Sequence, residues 1–243
     1  MSYKSPNYGE RIRLRTDRAE PSMIILHYTG MQSVEAALER LCDPASEVSA
    51  HYVIEEDGRT HQLVNDDHRA WHAGRSYWGG LTDINSASIG IEIVNKGHEF
   101  GYEDFPSAQI EAVIKLCTKL MKKYDIRAYM VLGHSDIAPG RKTDPGERFP
   151  WKELAEQGIG LWPNPTEMDF DAAADLLGQD QIIHDLLVDL GYAPEAEFDI
   201  LIEAFHRHYF PEKFLEGASS TLVNAETIAR ILALIRQRND LAD

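Results

Sequence analysis

The stretch SIGIEIVN, residues 88–95, decides the fold. A strand of period two places Ile89, Ile91 and Ile93 on one face and leaves Gly90, Glu92 and Val94 on the other. The first face suits a core. The second carries a carboxylate in mid-strand, which is costly unless it is paired, hydrogen-bonded or engaged in chemistry. Similar apolar runs lie on either side: SMIILHY (22–28), AHYVIEE (50–56), HQLVN (61–65) and AYMVLGH (128–134). Each is bounded by turn residues and reads as a strand. Asp57-Gly58 between two of these runs signals a hairpin, because Gly tolerates the positive φ of the turn. Residues 33–43 and 105–126 carry helical periodicity; in the second, Ile110, Val113, Ile114, Cys117, Leu120, Met121 and Tyr124 recur at three and four, with Ser107 as the N-cap candidate. The class is therefore α/β with one mixed sheet. MIIL and YMVL are apolar on both faces, so helices should cover both sides of the sheet in three layers.

Two prolines and two glycines interrupt the pattern at EQGIGLWPNPTEMD, residues 156–169, which reads as a linker. Four helical segments follow, with Gly178 and Gly191 as C-cap candidates and Asn224 as an N-cap. The chain is thus expected to divide into residues 1–163 and a small all-helical unit, 164–243, of a size that can fold alone only marginally.

Composition excludes several classes. The 243 residues include 40 acidic and 24 basic ones, a formal charge of −16, which would repel a phosphate backbone and makes nucleic acid and anionic membranes poor partners. No apolar run approaches the ~18 residues a spanning helix needs, and the first 22 residues lack the apolar core of a secretory signal. The expectation is a cytoplasmic protein, with a periplasmic or wall-associated one as the alternative. Cys42 and Cys117 sit in helical contexts without CxxC spacing and read as free thiols.

The chemistry-bearing residues cluster at strand ends. His27 and His134 each terminate an apolar run, and Asp144 follows ten residues after His134 on a loop kept tight by Pro139, Gly140, Pro145 and Gly146. Two histidines and a carboxylate can hold zinc with a fourth tetrahedral position free, the pattern of a catalytic site. Taken singly, each of these residues would read as a satisfied core histidine or a surface turn aspartate. Near such a metal Glu92 could act as general base and then as acid; an ion pair with an arginine is its alternative reading. Lys142 lies two residues before Asp144, so on an extended loop its ammonium would share that side and could stabilise an oxyanion. His68 and His72 are four apart but lack the Glu of HExxH, which argues against a second metal site. His206 and His208 are two apart on a helix and do not share a face. His51 reads as a hydrogen-bonded structural residue.

LHYTG, SAHYVIEEDG, RAWHAGRSYW, SIGIEIVN and GHSDIAPGRKTDPG…FPW, in that order over roughly residues 20–155, resemble the zinc-dependent N-acetylmuramoyl-L-alanine amidases of the type 2 family, whose fold peptidoglycan recognition proteins share. The bacterial branch that accepts anhydromuramyl-peptides is the most similar. The resemblance implies one Zn2+ held by His27, His134 and Asp144, Glu92 as catalytic acid/base and Lys142 as transition-state stabiliser. It also implies that Trp71 and His72 line the substrate groove, with Asn95 as a further substrate-binding candidate. Some members carry Cys at the third ligand position, where this chain has Asp144. LLVDLGY…FDILIEAFHRHYFPEKF…LVNAETIARILALI resembles the three-helix peptidoglycan-binding domain attached to such amidases, but His206 replaces a usual Gln and the loop before NAET lacks the common Asp-Gly.

The expected activity is hydrolysis of the amide between the lactyl group of N-acetylmuramic acid, free or in its 1,6-anhydro form, and L-alanine of peptidoglycan or muropeptides. A non-catalytic muropeptide-binding protein and a zinc peptidase acting on stem peptides are the alternatives.

Overall fold

The apolar runs of the sequence become strands because each buries one or both faces of its pleat. The computed structural model describes residues 3–12, 20–215 and 219–242. In chain order the elements up to the linker are β1 (Tyr8–Glu10), β2 (Met23–Tyr28), α1 (Val34–Cys42), β3 (Tyr52–Ile54), β4 (Thr60–Gln62), β5 (His68–Ala70), α2 (Ile84–Ala87), β6 (Ser88–Ile93), α3 (Gly97–Phe100), α4 (Ser107–Tyr124), β7 (Val131–Gly133), α5 (His134–Ile137) and α6 (Trp151–Glu156). Beyond it lie α7 (Glu167–Leu176), α8 (Asp180–Leu190), α9 (Phe198–Tyr209), α10 (Glu212–Leu215) and α11 (Ala225–Ala242). The central sheet runs β4-β3-β6-β2-β7, with β3, β6, β2 and β7 parallel and β4 antiparallel to β3 across the Asp57-Gly58 turn. β1 and β5, which the sequence did not announce, form a separate antiparallel pair.

Alternation sorts the sheet into two faces. Ile24, Leu26, Tyr52, Ile54, Ile89, Ile91, Ile93 and Val131 pack against Ile110, Val113, Leu116, Cys117 and Leu120 of α4. The opposite face has three tenants. Met23, Ile25 and Leu132 join one continuous core with Ile202, Phe205, Ile228 and Ile231 of the C-terminal helices. Val53 and Val94 pack under Leu38 and Leu41 of α1. Between α1 and the C-terminal helices the same face carries His27 and Glu92, which are paired in register across β2 and β6. The expected third layer is therefore largely the C-terminal unit itself.

Two local readings need correction. Ser107 is the first helical residue of α4; Pro106 holds the N-cap position and no side chain caps it. The three-helix unit that the resemblance implies has, among the described residues, four helices of ten or more residues and the single turn α10. The extra one is α7, which precedes the matched segment, starts from a capping box in which Thr166 and Asp169 satisfy each other, and is tied to α11 by Arg236 to Asp169 at 2.8 Å. By contrast Asn224 caps α11, its side-chain oxygen accepting the Thr227 N–H at 2.9 Å.

Asp136, fully buried in α5 just beyond β7, clasps the helical unit to the sheet. It accepts from the Gly133 N–H at 2.7 Å, the Tyr192 hydroxyl at 3.0 Å and His208 Nδ1 at 2.7 Å. The His208 ring is stacked against Trp151, with centroids 3.7 Å apart. Asp136→Ala would strip the acceptor from three buried donors, so a loss of roughly 3–5 kcal/mol is expected. Urea denaturation should show this as a lower midpoint; an unchanged midpoint would remove Asp136 from its role as clasp.

Candidate metal centre and groove

The parallel strands deliver their side chains to one end of the sheet, where α/β folds gather ligand-binding groups. His27 is the penultimate residue of β2, Glu92 stands beside it on β6, and His134 opens α5 directly after β7. Asp144 returns on the following loop, whose Ser135 N–H bonds the Asp144 carbonyl at 2.9 Å. His27 Nδ1 and His134 Nδ1 lie 2.9 Å apart, and Asp144 Oδ2 is 2.9 Å from the first and 3.0 Å from the second. All three side chains are buried. Among the described residues they form the one group of His, Cys, Asp and Glu whose ligand atoms converge in this way.

The donor set fits a cation. His134 gives its Nε2–H to the Ala73 carbonyl at 3.1 Å, which leaves the Nδ1 lone pair at the meeting point. Burial, with the His134 charge adding to it, lowers the His27 pKa to about 4, so the His27 imidazole is neutral at ordinary pH. Asp144 is held far below the carboxylate range: the two imidazoles overcome the opposing effect of its burial. Two imidazole nitrogens and one carboxylate are a mixed N/O ligand set of the kind that holds zinc.

These residues border a groove of about 530 Å3 lined also by Glu92, Trp71, His72, Tyr28 and Lys142. Burial raises Glu92 well above the carboxylate range; the Asp144 charge adds to this and Lys142 opposes it. Among the described residues its Oε2 is buried with no hydrogen-bond partner and no arginine pairs with it, which speaks against the ion-pair reading of Glu92. Tyr28 donates or accepts at Thr143 Oγ1 and His98 Nδ1, each at 3.0 Å, and His98 reaches Glu147, which Arg207 of α9 also grips. The helical unit thus holds one rim of the groove.

A family model described as N-acetylmuramoyl-L-alanine amidase matches residues 17–147, a span that contains every residue of this centre. The chain belongs to that amidase family. It is 39% identical over 160 residues to N-acetylmuramoyl-L-alanine amidase AmiD of Escherichia coli, a match spanning 61% of this chain and 57% of that protein. Among solved structures, AMPDH3 of Pseudomonas aeruginosa superposes with a TM-score of 0.80 at 32% identity, over 98% of this chain and 100% of that one. The E. coli AmiD complex with anhydro-N-acetylmuramic acid-L-Ala-D-gamma-Glu-L-Lys gives 0.77 at 31% identity, over 95% and 98%.

Within this amidase fold the other expected site residues fall unevenly. Trp71 lines the groove. Asn95 does not: it is buried, its Nδ2 donates to the Glu103 carbonyl at 2.9 Å and its Oδ1 accepts the Gly97 N–H at 3.0 Å, so the amide holds the 95–103 loop rather than a ligand. His72 touches the groove wall, but both of its ring nitrogens are engaged, to His27 at 3.0 Å and Ser88 at 3.2 Å. His51 accepts the Gly90 N–H at 2.9 Å, and His206 bonds the Ser220 carbonyl and Thr227. Arg40, Lys96, His98 and Arg141 also line the groove and carried no local pattern by which the sequence could single them out.

Two outcomes are expected. Purified protein should carry a single divalent ion by elemental analysis, and Asp144→Ala should lose it. In metal-stripped protein the raised Glu92 carboxyl binds more protons folded than unfolded, so stability should decline as pH rises above its unfolded value of ~4.3. Glu92→Gln removes that decline: the variant should melt higher than the parent at pH 8 and alike at pH 4.

Proposed function

We propose that the protein hydrolyses the amide joining the lactyl carbonyl of an N-acetylmuramoyl group, including its 1,6-anhydro form, to the L-alanine of a stem peptide, and that the ion is Zn2+. The convergence of His27, His134 and Asp144 beside Glu92, whose Oε2 is buried without a partner among the described residues, carries this reading. A recognition module needs no such carboxylate, and burying one without a partner is costly. Relatives solved with anhydromuramyl-peptides support the substrate class.

Zinc, when bound, supplies Lewis acidity and makes water a nucleophile at neutral pH. Glu92, whose burial and neighbouring Asp144 charge raise its proton affinity, takes the proton of the attacking water and returns it to the departing alanine nitrogen. Lys142, at the groove surface, opposes the negative charge that develops on the carbonyl oxygen. Tyr28 and Thr143 fix the loop that presents Lys142 and Asp144. Residues 164–243 act on this reading as the groove's supporting wall, since Arg207 anchors Glu147 and through it His98.

Digestion of anhydromuropeptides followed by mass spectrometry tests the reaction. Free stem peptide and unsubstituted sugar are expected. A shortened stem would make the protein a peptidase, and intact substrate would make it a binder. Glu92→Gln should keep its metal and lose at least ~10²-fold in turnover, while Lys142→Ala should lose ~10²–10³-fold with metal retained.

A further inference from the structure

Gly90 faces the metal centre from β6, and the reason it carries no side chain is His72. A Cβ there would stand 2.4 Å from His72 Cγ, so the strand is cut away to seat the imidazole. The main chain on either side is pinned too: Asn85 Oδ1 accepts the N–H groups of His72 at 3.0 Å and Ala73 at 2.8 Å. A ring held this firmly has fixed partners. Ser88, fully buried, lies 2.6 Å from the Ile84 carbonyl, which can only accept, so the hydroxyl proton is committed there. Ser88 Oγ then offers only lone pairs to His72 Nε2 at 3.2 Å, and His72 must carry its proton on Nε2. Its Nδ1 is left bare, 3.0 Å from His27 Nε2.

We propose that His72 is a positioning residue of the metal centre: its bare Nδ1 accepts the Nε2–H of His27 and so keeps the His27 Nδ1 lone pair aimed between His134 and Asp144. The proton order runs from His27 to His72 to Ser88 to the Ile84 carbonyl, each group donating to the next. Metal-bound histidines commonly donate their second N–H to a carboxylate or carbonyl. A neutral imidazole in that role orients the ligand without adding a negative charge beside Glu92 and Asp144. His134 has the carbonyl version, through Ala73.

The inference rests on the metal centre proposed above, and zinc affinity separates the two. His72→Phe fills the seat and removes the acceptor; His72→Asn places an oxygen where Nδ1 stood. Chelator competition on the full chain should show Phe weakening zinc by ~10–100-fold and Asn recovering most of the loss. Ser88→Ala should weaken it in the same direction. Zinc binding by His72→Phe as tight as the parent's overturns the proposal while leaving the metal centre intact, as does an Asn variant no better than Phe. A parent that binds no zinc overturns both. Should the Phe variant fail to fold, ¹⁵N NMR of the zinc-loaded parent decides: a His72 ring protonated on Nε2 and bare on Nδ1 is expected, and one protonated on Nδ1 refutes the relay.

Discussion

His27 and Glu92 stand opposite each other on neighbouring parallel strands, and side chains in register on adjacent strands must share a face. A one-residue slip in β2 or β6 would turn either group into the isoleucine layer beneath α4. That slip is blocked by the apolar residues themselves: Ile24, Leu26, Ile89, Ile91 and Ile93 are all fully buried on the far face. The register that builds the core is thus the register that sets Glu92, the proposed acid/base, beside His27, a proposed metal ligand. Packing and chemistry are specified by one alternation.

The groove exists because the functional face of the sheet is covered at its two sides and not between them. α1 covers Val53 and Val94; the C-terminal helices cover Met23, Ile25 and Leu132. The gap falls over the polar positions, where further apolar packing would bury charges without partners. Asp136 links the two requirements. It lies two residues after His134 and gathers Gly133, Tyr192 and His208, so the turn that aims His134 is also the joint that seats the helical layer. A boundary drawn at residue 163 from linker composition is invisible to the core, which runs across it.

Much of this was legible in the sequence because it rests on local periodicity. The five strands of the central sheet, α1, α4 and the C-terminal helices follow from spacing alone, and His27, His134, Asp144, Glu92 and Lys142 were marked by strand ends, a tight loop and a charge in mid-strand. The failures share a cause. β1 and β5 are three-residue pieces with no apolar alternation, held by each other across 60 residues of chain. Asn95 follows an apolar strand into a loop, and only the fold shows that its amide is spent on Gly97 and Glu103. His72 does line the groove as the resemblance implies, but nothing nearby in the chain names its partners; Ser88 and Gly90 reach it through tertiary packing.

Protons and metal ions compete for the same lone pairs, so a histidine site works only where protons are kept out. Here burial does so and outweighs the Asp144 carboxylate, which acts in the opposite direction on His27. It lowers His27 to about 4 and His72 well below the ordinary histidine value, each with a neighbouring imidazole's charge as the next cause. For groups whose folded pKa lies below the unfolded one, the folded state binds fewer protons, and stability is lost as pH falls below ~6.5. The same surroundings act oppositely on Glu92, which they keep from losing its proton freely. A single dry floor therefore holds imidazoles neutral for the metal and makes the carboxylate a stronger base, two requirements that a solvated cluster could not meet together.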